Sequence, residues 1–128
     1  MANEINTLKK PQEMAQFYGF PSQYTGKGQS VAIISLGGEI SMSELQQDFQ
    51  DLGVPFPNIT EVLVNQSQIT ATQNSGATGE THLDVEVIGS ICPDATIKIY
   101  RGPNTLSGFA DTVQQAITDK NSVISISW

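Results

Sequence analysis

The chain is poor in the residues that several chemistries would need. It holds one histidine and one cysteine, His82 and Cys92, so no cluster of nitrogen and sulfur ligands for a zinc site can be assembled and no intrachain disulfide can form. Cys92 ends an apolar run just before Pro93, which predicts a buried, inert thiol and leaves the redox compartment open. No stretch approaches the roughly 20 apolar residues of a membrane-spanning helix, and the opening MANEINTLKK has no apolar core of the kind an export signal uses. Basic residues are scarce as well. Six stand against thirteen acidic ones, a formal charge of −7, and that balance repels phosphate backbones and acidic bilayers alike. Neither nucleic acid nor a membrane is expected as a partner. Gly37 and Gly38 lack the G-x-G-x-x-G spacing of a dinucleotide fingerprint, so a nucleotide-binding protein is the weakest reading, and no serine sits in a G-x-S-x-G nucleophile elbow.

What the chain does have is length for one core and a regular alternation of patterns. At 128 residues a single domain can bury about two thirds of its unfolded surface. QSVAIISLGG (29–38) reads as a strand buried on both faces. In the segment that follows, Ser41 and Glu44 suit a capping box, Leu45, Phe49 and Leu52 share one helical face, and Gly53 fits the stop. ITEVLV (59–64) predicts a second strand, and residues 65–79 a polar loop longer than packing requires. A helix is expected from Glu80, with Leu83, Val87 and Ile91 as its apolar stripe and Pro93 ending it. ATIKIY (95–100) is a third strand. A helix with Phe109, Val113, Ala116 and Ile117 covering the sheet follows, and SVISISW (122–128) is a fourth strand. Strands separated by helical crossovers predict an α/β fold, a parallel sheet with flanking helices. PQEMAQFYGFP ahead of it predicts a short helix whose Met14, Phe17 and Tyr18 pack on the domain. A chain stopping at Trp128, on the last residue of an expected strand, predicts a sheet that something else must cover.

In an open α/β sheet, ligands bind beyond the carboxyl ends of the strands. Those ends carry Ser35 to Gly38, Arg101 to Asn104, Ser127 with Trp128, and the loop before Glu80. Glu80 and Asp84, four residues apart, share one helical face, and two carboxylates in one pocket cannot both ionise cheaply, so one keeps its proton to higher pH. That is a general base or acid suited to an acidic medium. The bland alternative is that acids in a first helical turn merely complement the helix dipole. Glu86 lies off the shared face and is expected in solvent, and His82 is expected at the surface or against a loop.

Four stretches in order, PQEMAQFYGFP, GKGQSVAIISLGG, GETHLDVEVIGSICPDATIKIY and SVISISW, resemble the sedolisins, the serine-carboxyl peptidases. The specific piece is the G-E-x-x-x-D-x-E run at 79–86; the others support it. The resemblance covers nearly the whole chain and implies the N-terminal half of a subtilisin-like fold, with a lead-in segment 1–28 and an α/β core 29–128. It implies that Glu80 is the general base for a serine nucleophile, that Asp84 orients it and shares its proton, and that Ser127 and Trp128 lie on the edge that binds an extended peptide. Subtilisins carry their aspartate where this chain has Ser35 and their histidine near Gly79 and Glu80, so a Ser-His-Asp triad is excluded. The G-T-S nucleophile, the oxyanion aspartate and the calcium loop of such peptidases belong to the second half of the domain. No cofactor is therefore expected in this chain, with calcium expected in the remaining part. A second chain carrying the serine is the expected partner beside a peptide substrate, and the isolated chain is expected to be inactive. The compartment is not legible in the chain itself; the resemblance implies an extracellular one. The competing reading is a catalytically silent peptide-binding module, or a truncated remnant, of the same fold.

Overall fold

Strand β1, Ser30–Ser35, is buried from Val31 to Ser35, and its β-branched Val31, Ile33 and Ile34 suit a pleat packed on both faces. In the computed structural model, which describes residues 9–69 and 75–128, β1 joins β2 (Asn58–Leu63), β3 (Thr96–Arg101) and β4 (Val123–Ser125). All pairings are parallel, in the order β2-β3-β1-β4. Consecutive β1 residues feed opposite cores. Ala32 and Ile34 pack with Tyr100 and Ala116 on one side, and Ile33 with Leu45, Phe49, Val85 and Ile97 on the other.

The described residues form four α-helices, α1 (Pro11–Phe17), α2 (Met42–Leu52), α3 (Ser75–Ile91) and α4 (Leu106–Thr118), and the last three cover the two faces. The first core is closed by Phe109, Val113 and Ala116 of α4, the second by Leu45 and Phe49 of α2 with Val85 and Ile88 of α3. α1 lies outside this layer, its Gln12 amide donating to the Leu52 carbonyl at 2.8 Å. The α/β class expected from the strand-helix alternation is thus the observed one. Ser41 caps α2 by accepting from the Glu44 amide, and Gly53 ends it in the left-handed region with φ 73°, where a side chain would clash with its own carbonyl.

Several expectations need correction. α3 begins at Ser75, not Glu80, so Glu80 lies in its second turn; residues 70–74 of the expected 65–79 loop, like residues 1–8 of the lead-in, lie outside the described residues. Leu83, Val87 and Ile91 are not the sheet-facing stripe. Leu83 is 52% exposed and Val87 37%, and with Met14, Tyr18 and Phe20 they line a groove between α1 and α3. The sheet side of α3 is built instead from Ala77, Thr81, Val85 and Ile88. Close approach accompanies this choice of face: a Cβ at Gly89 would stand 2.7 Å from Phe49 Cζ, so the Val85–Ile88–Gly89 side of α3 lies against α2 and the core while Leu83 and Val87 face out. Phe17 and Tyr18 are largely exposed and meet each other edge to face at 5.2 Å, with Tyr18 at the rim of that groove. Ile117 is exposed, β4 spans three residues rather than seven, and Cys92 is a half-buried free thiol.

Candidate functional site

The parallel connections bring the amino-terminal half of α3 beside the carboxyl ends of β1 and β4, and hydrogen bonds hold it there. Ser35, the last residue of β1, shares a buried hydrogen bond with Thr81 at 2.9 Å. The Glu39 amide donates to Thr78 Oγ1 at 2.9 Å, and the Ser41 amide to His82 Nε2 at 3.2 Å. The segment leaving β1 is therefore laced along α3. Arg101 fixes the other side of this turn, donating from Nη2 to the Gly38 carbonyl at 2.9 Å and from Nη1 to Glu61 at 3.1 Å.

His82 is buried, not on the surface, although it does contact a loop as expected. Accepting at Nε2 requires that nitrogen to be unprotonated, which leaves the proton on Nδ1, 3.9 Å from Glu44 Oε2. The capping box is accordingly only half formed: His82 takes the Ser41 amide that a Glu44 side chain would otherwise reach.

Against this scaffold Glu80 and Asp84 are both half-buried, one helical turn apart on one face of α3, and the charge of Glu80 acts on Asp84. Burial is the main cause that raises Asp84 above the usual carboxylate range; the Ser127 hydroxyl opposes it, and the charge and hydrogen bond of Glu80 reinforce it. Because no acid stands in the first turn of α3, the helix-dipole explanation of the pair loses its geometric basis.

Ser127 and Trp128 lie past the end of β4. Ser127 Oγ donates to Asp84 Oδ1 at 3.1 Å, and Trp128 Nε1 donates to the Ile34 carbonyl at 2.7 Å. The structure thus brings Glu80, Asp84 and Ser127 together, with Trp128 anchored on the neighbouring strand. Glu86, expected in solvent, is half-buried and meets Asp48 of α2. Nothing in the spacing signalled the Ser127–Asp84 or Asp48–Glu86 contacts, since each joins elements far apart in sequence. Among the described residues no group of three or more His, Cys, Asp or Glu could hold a metal ion, and no helix is long and apolar enough to cross a membrane.

A parallel four-stranded sheet of this order with helices on both faces is the architecture of a subtilisin-like α/β domain. Over 93% of the chain it superimposes on 34% of Pseudomonas sedolisin, a serine-carboxyl proteinase solved with two molecules of pseudo-iodotyrostatin, at a TM-score of 0.80 and 24% identity. No family model matches the sequence. Kumamolisin from Bacillus sp. (strain MN-32) is 42% identical over 127 residues, 95% of this chain. In sequence the chain is kumamolisin-like, and in fold it matches sedolisin, a serine-carboxyl proteinase. It spans 23% of kumamolisin's length.

Proposed function

We propose that this chain is the N-terminal portion of an acid-acting serine-carboxyl endopeptidase, in which Glu80 is the general base, Asp84 its proton-sharing partner, and the edge at Ser127 and Trp128 one wall of the peptide cleft. The observation that carries the reading is the placement of Glu80 and Asp84, half-buried on one face of α3 beside the strand ends, with the Ser127 hydroxyl donating to Asp84 at 3.1 Å. The sequence contains no G-T-S, so the serine nucleophile and its oxyanion donors are supplied from outside this segment, and calcium, if bound, is held there too. Residues 1–28 act as lead-in and 29–128 as the α/β core of the domain. The substrate is a peptide or protein, consistent with the peptidase relatives, and the working compartment is extracellular.

Chemically, a serine hydroxyl is a poor nucleophile until a base takes its proton. A lone carboxylate is too weak a base for this, but one that shares a proton with a second carboxyl in a half-buried site has a higher pKa and still keeps a negative charge on the pair. Glu80 would accept the serine proton and later return it to the leaving amine, while Asp84 holds the Glu80 carboxyl in register and takes up part of the added proton's charge. Water would be thinned around the pair by the walls of α3 and β4, which strengthens its electrostatics.

The test is Glu80→Gln in the complete peptidase, assayed by peptide hydrolysis at acidic pH. The amide keeps the shape but cannot accept the proton, so turnover should fall by about 10²–10⁴-fold with folding intact; unchanged turnover refutes the assignment. A second reading, a silent peptide-binding module, draws on β4, a three-residue edge strand whose Val123 is exposed and could accept an added strand. Peptide binding by calorimetry without any hydrolysis by the complete protein would favour it.

A further inference from the structure

We infer that Ser127 is a positioning residue for the carboxyl pair: its hydroxyl occupies Oδ1 of Asp84 and so leaves Oδ2 as the oxygen at which Asp84 shares a proton with Glu80. This rests on the general-base reading and gives Ser127 a task within it that peptide contact alone would not require.

The two oxygens of Asp84 are not equivalent. Oδ1 accepts from Ser127 Oγ at 3.1 Å. Oδ2 is buried with no hydrogen-bond donor among the described residues, and leaving such an oxygen without a hydrogen is costly. A proton on that oxygen, or one presented by Glu80, relieves the cost, and Glu80 is the group whose carboxyl interacts with Asp84. With Oδ1 already engaged, Oδ2 is the Asp84 oxygen that gains most from a proton, because it has no other hydrogen to accept. Asp84 is then held as a directional partner rather than one that can rotate between two equivalent faces.

Ser127 is itself held. The adjacent Trp128 indole is fastened to the Ile34 carbonyl of β1 at 2.7 Å, and three residues earlier Ile124 pairs with Ala32 in the β1–β4 ladder. The hydroxyl is therefore aimed from a segment tied down on both sides. A hydroxyl donating to a carboxylate favours the ionised form, so Ser127 also opposes the burial that raises Asp84. It sets how acidic the medium must be before the pair becomes fully protonated.

The test uses the complete peptidase, with the Asp84 carboxyl followed by ¹³C NMR and the pH profile of kcat/KM measured alongside. Ser127→Ala should raise the Asp84 titration midpoint and move the ascending limb of the profile to higher pH by about half a unit to one unit. Ser127→Thr, which keeps the hydroxyl, should restore both. If Ser127→Ala raises KM while midpoint and limb stay in place, Ser127 only touches substrate and the inference is overturned. Failure of the general-base reading looks different: Glu80→Gln would retain turnover, whereas the Asp84 midpoint in Ser127→Ala would still report whether the hydroxyl tunes that carboxyl.

Discussion

α3 takes part in two carboxyl pairs, one within the helix and one shared with α2, that are crowded in similar ways and face different parts of the molecule. Glu80 and Asp84 sit on one helical face beside the ends of β1 and β4, with the Ser127 hydroxyl on Asp84. Glu86 instead looks across to Asp48 on α2, in the seam where His82 meets Ser41 and Glu44 one turn earlier. Burial first, then the hydrogen bond and charge of Asp48, push Glu86 up to about 7. Asp84 is raised too, but a donor opposes the rise. The more strongly perturbed carboxyl is thus in the helix seam and not at the strand ends. A raised pKa marks crowding of acids; whether chemistry follows depends on where the fold puts them.

The largest effect separating the pairs is on turnover. Glu80→Gln should lower kcat/KM by about 10²–10⁴-fold, whereas Glu86→Gln, which mimics the protonated acid, should leave it within about twofold in acidic medium. Equal losses in the two variants would erase the distinction. Next in size is Phe49→Ala, which removes the side chain wedged between α2 and Gly89 of α3. A loss of about 3–5 kcal/mol in denaturant unfolding is expected, and because the seam opens, Glu86 should titrate closer to an ordinary glutamate while Asp84 changes little by ¹³C NMR.

Much of the fold was readable before any of this, because buried parallel strands write themselves as β-branched runs and α2 announces both of its ends. Ser41 and Gly53 work through bonds within a turn or two of themselves, so local spelling suffices. The face of α3 was not readable. Its apolar residues lie on more than one side, and the choice between the Leu83 stripe and the Val85 side came with packing against Phe49 and the core. Glu86 was misplaced for the same reason, since its partner Asp48 lies on another helix.

A smaller effect concerns pH. Glu86 has a folded-state pKa of about 7 against an ordinary 4.5, so the native state holds the proton more tightly. The associated stability is fully present below about pH 4.5 and lost as pH rises through about 7. Because Glu86 is only half-buried, solvent screening reduces the effect to the order of 1 kcal/mol. Chemical denaturation across that window should show the trend in the unmodified protein and a flatter curve in Glu86→Gln. Asp84 adds a contribution of the same sign, present below its ordinary pKa of 3.8 and lost above its raised one.

The smallest expected effect is at the top of the seam. His82→Ala removes the acceptor of the Ser41 amide and should cost about 1 kcal/mol in thermal unfolding, unless Glu44 swings in to complete the capping box. A crystal structure of the variant distinguishes the two outcomes.

The sequence alone determined the alternation of strands and helices, the ends of α2, and the presence of two acids one helical turn apart, since each depends on neighbours within about four residues. Only tertiary structure decided which side of α3 meets the sheet, that Ser127 reaches Asp84, and that Glu86 pairs with Asp48. Those contacts join elements dozens of residues apart, and side chains so separated acquire each other as neighbours only after the sheet and its helices have packed.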